Sequence, residues 1–189
     1  MNGDDRRKRE EQLAQYAADN PRPLYQTIYD LAAAFREVGA GSVQSIQKSQ
    51  NADFFVPAVV NTAFAVELLL KFFIVATNPD LTYAELKARG LHPHGHKYSE
   101  LWDRLHPKFR GAVLAEYSML TQAGSLLPDI PLVLAELGDV PFVDWRYPFE
   151  DPAYRELDYG KLEKIAVAML RVGRGACGRL AKGERRHVV

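Results

Sequence analysis

The side chains able to do chemistry in this 189-residue sequence gather at three places. The first is the run from Arg89 to Lys97, where His92, His94 and His96 alternate behind a guanidinium. A histidine can carry the proton of a ribose 2′-OH while an arginine stabilises the crowded anionic phosphorane. Arg89 with His94 or His96 is therefore a candidate pair for metal-independent RNA cleavage. Alternating imidazoles can also share a metal on extended backbone, but no nearby Cys or carboxylate completes a ligand set, and no metal is assigned.

The second place is Glu67 with Lys71, four residues apart inside the apolar run from Phe54 to Ala76. A carboxylate on so apolar a helix must find a partner or take up a proton, because an unpaired buried charge is too costly. Lys71 at i+4 is the simplest partner. Arg146 is another, since Trp145 and Tyr147 let its planar guanidinium stack on rings while its fork grips a carboxylate. Glu150 is a further candidate for the same cluster, and the plainest role of the whole is a clamp pinning a late loop to the core. The third place is the last helical stretch, where Arg171, Arg174, Lys182 and Arg185 fall within about 80° of one another at helical pitch. Such a stripe could hold phosphates of RNA or of a nucleotide, although cations also simply favour a helix C-terminus.

Helices must position all of these residues. Pro21 and Pro23 end a charged first helix over residues 1–20. Tyr25, Ile28, Tyr29, Ala32, Phe35 and Val38 recur at helical spacing, and Gly39 and Gly41 are expected to stop that second helix, leaving 42–52 as a connector. The central helix, 54–76, is apolar around nearly its whole circumference and so must be wrapped by neighbours. Short helices follow at 83–88 and near 98–105, then one from Pro107, another opened by Pro128-Asp129-Ile130-Pro131, and a loop through Trp145 to Glu150. Asp158 can cap the final helix, 159–182, whose core face is Leu162, Ile165, Met169, Val172, Ala176 and Leu180. Gly173, Gly175 and Gly178 weaken it by about 1 kcal/mol each, so close approach of another helix, a second subunit included, should compensate.

No strand pattern or repeat emerges, and the expectation is one all-α domain over 1–189: an antiparallel helical bundle around a buried central helix, with a flexible basic tail at 183–189. Lys plus Arg balances Asp plus Glu at 24 each, so any charged partner must be met by a local patch. Cys177 stands alone, which excludes an internal disulfide and suits a reducing, cytoplasmic compartment. No apolar segment follows the charged N-terminus, and Asn61, Glu67 and Lys71 argue against the central run crossing a membrane. Gly39-Ala40-Gly41 and the glycines around 178–183 match no dinucleotide or phosphate-loop fingerprint, there is no nucleophile elbow, and no cofactor is expected.

Two segments together resemble the HEPN family. Ala63-Phe64-Ala65-Val66-Glu67-Leu68-Leu69-Leu70-Lys71, followed by Gly95-His96-Lys97-Tyr98-Ser99-Glu100-Leu101, is similar to that family's pairing of an apolar helix bearing Glu and Lys with a Gly-His step opening a short helix. The resemblance is clearest over 54–105. It implies an antiparallel bundle, commonly a homodimer, in families that include RNA-cleaving toxins, antiviral ribonucleases and silent members paired with protein partners. Catalytic members carry an Arg, four to six residues, then a His, usually opening a late helix. Arg89 with His94 or His96 has that spacing but sits in a Pro-Gly loop. The leading expectation is thus a non-catalytic or weakly catalytic module that binds RNA, a nucleotide or a partner protein in a toxin–antitoxin or defence setting. The alternatives are a ribonuclease and a structural dimerisation adaptor.

Overall fold

The computed structural model describes residues 22–122, 128–146 and 157–184, and its regular elements are all helical. The helix expected at 1–20, the residues Tyr147, Glu150 and Arg185, and the tail from 185 onward lie outside the described residues. The helices are α1 (Leu24–Ser49), α2 (Phe55–Ala76), α3 (Tyr83–Ala88), α4 (Tyr98–Asp103), α5 (Pro107–Thr121), α6 (Ile130–Glu136), α7 (Pro141–Arg146) and α8 (Tyr159–Ala181).

Helix α1 corrects the sequence reading, for it runs through Gly39 and Gly41 and ends only at Gln50, in left-handed conformation. A Cβ at Gly39 would lie 2.3 Å from the Thr62 hydroxyl, so glycine here permits close approach of α1 and α2. Contact across that crossing offsets the helix penalty of glycine, which is why it does not act as a stop. Ser42, Ser45 and Ser49 return their hydroxyls to carbonyls four residues back, absorbing polar groups that had read as a connector. Asn51 then accepts from the Asp53 N–H at 2.8 Å and opens a 3-10 turn, Ala52–Phe54, leading into α2.

Side-chain pairs fix the directions. Tyr29 meets Phe72 and Phe35 meets Phe64, so α1 and α2 are antiparallel. The Thr62 hydroxyl meets the Tyr159 hydroxyl, while Gly173 lies against Phe72, so α8 runs parallel to α2 and opposite to α1. Phe109 at the start of α5 packs on Phe73 near the end of α2, and Glu116 of α5 reaches Arg171 of α8. The four long helices thus alternate up and down around α2.

Helix α2 buries Val59, Ala63, Val66, Leu69, Leu70, Phe72 and Phe73 completely, together with Glu67. With its leading turn, Ala52–Ala76 is the one stretch among the described residues long and apolar enough to cross a bilayer, and here its neighbours are α1, α7 and α8. Helix α8 presents Leu162, Ile165, Met169, Val172, Ala176 and Leu180 to the core, the face that its periodicity marks. Its Gly173 is explained within the chain, since a Cβ there would come 2.8 Å from the Tyr29 ring. Trp145 and Arg146, expected in a loop, instead end α7, whose Phe142 stacks on Phe64 and whose Trp145 meets Phe55 edge-on.

Candidate functional site

Glu67 lies at the middle of α2 with 1% of its side chain exposed. Its Oε1 accepts from Lys71 Nζ at 2.7 Å and from His96 Nδ1 at 2.9 Å, while Oε2 is buried without a hydrogen-bond partner among the described residues. Lys71 is 17% and His96 57% exposed, so the two partners bridge a buried carboxylate to the surface. Glu67 and Lys71 meet because one helical turn separates them. His96 arrives because Gly95, at φ +87°, turns the chain immediately before α4. Tyr98 locks this approach: its hydroxyl donates to the Ala63 carbonyl at 2.5 Å and its N–H to the Asp139 carbonyl at 2.9 Å. Burial, and after it the Glu67 charge, push the Tyr98 phenol well above its ordinary value, so it remains a donor.

Arg146 is not a hydrogen-bond partner of Glu67. Its guanidinium sits 5.6 Å over the Phe142 ring at the end of α7, and the place reserved for it is taken by His96. Sequence distance concealed that partner: the sequence marks His96 for the histidine loop and not for Glu67, and the Gly95 turn is what brings it to α2.

The histidine loop is organised by Arg104, which the sequence did not single out. Its guanidinium donates to the carbonyls of His92 at 2.7 Å, His94 at 3.4 Å and Leu91 at 3.5 Å. His94 bonds through Nδ1 to the His92 carbonyl, and the two rings lie 4.7 Å apart. Arg89 is exposed at the end of α3 and makes no hydrogen bond to His94 or His96. No group of three or more potential metal ligands forms among the described residues.

The basic stripe divides. Arg171 and Arg174 line a groove of about 220 Å³ between α1 and α8, together with Tyr29, Arg36, Glu37 and Leu170. Arg171 also reaches Glu116 at 3.5 Å on the α5 side, and Lys182 is exposed at the end of α8. Arg174 is exposed and forms no hydrogen bond or ion pair with another described residue. Arg36 is the member that periodicity did not reveal, because it belongs to another helix. It bonds Glu163 and, at 3.0 Å, Glu37, leaving Nε without a partner. Burial works against its charge, yet those two carboxylates outweigh it and hold the guanidinium above its ordinary value.

Cys177 is buried on α8, and burial with the nearby Asp30 charge pushes its thiol up to about 11, a packing residue and not a nucleophile. No family model matches the chain, and no curated protein or solved structure matches it.

Proposed function

We propose that this chain is a HEPN-like helical module, non-catalytic or weakly catalytic, that holds a phosphate-bearing partner, RNA or a nucleotide, in the groove between α1 and α8. The observation that carries this reading is the pairing of Arg174, a cation with unused donors, with Arg171 and Arg36 around one concave surface. Guanidinium forks match phosphate oxygens bidentately, and a groove supplies the geometry that a solvated stripe lacks.

The resemblance supports the setting, a toxin–antitoxin or defence system, and a homodimer that light scattering would detect. Titration of a fluorescent single-stranded RNA into the purified chain tests the groove. Binding that is lost in the Arg171→Glu, Arg174→Glu double variant supports it; equal affinity in both proteins removes it and leaves the adaptor reading.

One observation favours a second reading. Glu67 engages His96 through Nδ1, so Nε2 is left facing no bonded group on a half-exposed imidazole. A carboxylate that fixes a histidine tautomer is the arrangement of a proton carrier, as a metal-independent ribonuclease using Arg89 with His96 or His94 requires. Labelled RNA incubated with the wild type, Arg89→Ala and His96→Ala decides it: cleavage by the wild type alone supports the enzyme, and intact RNA or equal cleavage by all three removes it.

A further inference from the structure

The loop from α3 to α4 is tied down along its backbone yet leaves rings in solvent. Arg104 takes the carbonyls of Leu91, His92 and His94, the Leu91 N–H returns to the Leu86 carbonyl at 2.8 Å, and Pro93 is buried. Connecting segments of this composition are ordinarily the mobile part of a fold. Here the frame is fixed, so the side chains it carries are preorganised.

What it carries is aromatic. Tyr83 is 51% exposed and meets the His92 ring edge-on at 6.1 Å, and His92 lies against His94 at 4.7 Å with the rings inclined by 34°. Three rings therefore run contiguously from the first turn of α3 across the loop, with Leu91 also exposed beside them. Tyr83 and His94 bury too little to be explained by the core. The charges around the rings are mostly positive. Lys87 and Arg89 are exposed on α3 and its end, and Arg104 stands behind His92. Of the neighbouring acids, Glu85 accepts from Thr82 in a capping box and faces Arg89 alone among these cations, and Glu100 pairs with Lys97 at 3.3 Å, so Lys87 and Arg104 have no acid opposite them among the described residues. Desolvation first, then the positive fields of His94, Lys87 and Arg104, hold His92 below its ordinary value, which keeps that ring neutral near pH 7.

We propose that Tyr83, His92 and His94 form a stacking platform for an unpaired nucleobase, with Lys87 and Arg89 placed for the attached phosphate. Aromatic faces accept any base, and adjacent cations answer the backbone, which is how sequence-tolerant single-strand surfaces are built. The platform lies apart from the α1–α8 groove in the chain, involves none of its residues, and stands or falls independently of it.

The test compares an oligoadenylate strand with an abasic strand of the same length and charge. The wild type should bind the adenylate strand about tenfold more tightly, the effect expected of one stacked base, and the Tyr83→Ala, His94→Ala variant should reduce that preference to within about twofold. Equal binding of the two strands by the wild type, or an unchanged preference in the variant, overturns the platform. NMR on the unmodified protein keeps the question open to refutation should the variant misfold. Tyr83 ring resonances that shift with the adenylate strand but not the abasic one support a strand as the source of the base, a shift with adenosine monophosphate as well supports a free nucleotide, and no shift with either overturns the proposal.

Discussion

The interior of α2 and the cleft between α1 and α8 handle charge in opposite ways. At Glu67 one buried carboxylate oxygen draws two donors, Lys71 and His96, which lie nearer the surface. In the cleft the cations are unevenly paired: Arg36 holds both Glu163 and Glu37, while Arg171 has only Glu116 at 3.5 Å and Arg174 has no partner among the described residues. The first arrangement ties α2 to the turn before α4 through one oxygen of Glu67, with Oε2 left unpartnered among the described residues, and so holds parts of the fold together. The second leaves the Arg174 donors unused, which is the basis of the proposed phosphate site.

The largest expected loss comes from unbalancing the first region. Lys71→Ala leaves buried Glu67 with His96 alone and should cost about 3 kcal/mol in urea unfolding, whereas Glu67→Leu with Lys71→Met should cost much less because both charges leave together. A double variant as unstable as the single one would show that the pair adds net stability. Gly39→Ala should cost about 2 kcal/mol by thermal melting, since its Cβ would press on the Thr62 hydroxyl at 2.3 Å. Tyr98→Phe removes the bond to the Ala63 carbonyl and should cost about 1 kcal/mol. Arg174→Glu should stay within about 0.5 kcal/mol of wild type, because an exposed, unmatched cation stabilises nothing.

Cys177 gives a pH test of the same interior. Its thiol holds a proton up to about 11 in the folded chain against 9.0 ordinarily, so its stabilising effect is complete below pH 9 and fades as pH rises through 11. Reaction with a thiol reagent at pH 8 should be slow in the native protein and rapid once it is unfolded in urea. Fast native labelling would contradict the burial.

How far the sequence reveals this molecule depends on whether a feature is local. The cap at Asp158, the core face of α8 and the Glu67–Lys71 bond all follow from spacing along one helix. The misread features are long-range. Gly39 resembles a terminator until Thr62 is seen against it, and Arg36 has no basic neighbour in sequence to announce the groove it shares with Arg174. Helix α7 did carry a signal, Phe142 and Trp145 three residues apart after Pro141, but its six residues offer too short a period to outweigh the surrounding turn residues. His96 was visible as a helix-opening residue, while its partner on α2 depends on a turn at Gly95 that only tertiary structure specifies.

The most direct test of the groove is the salt dependence of RNA affinity. Plots of log K against log salt for the wild type should fall steeply, and Arg174→Glu should flatten the slope by at least about 0.7, the share of one phosphate contact on a single strand. A wild-type affinity indifferent to salt, or a slope that Arg174→Glu leaves unchanged, would contradict the assignment.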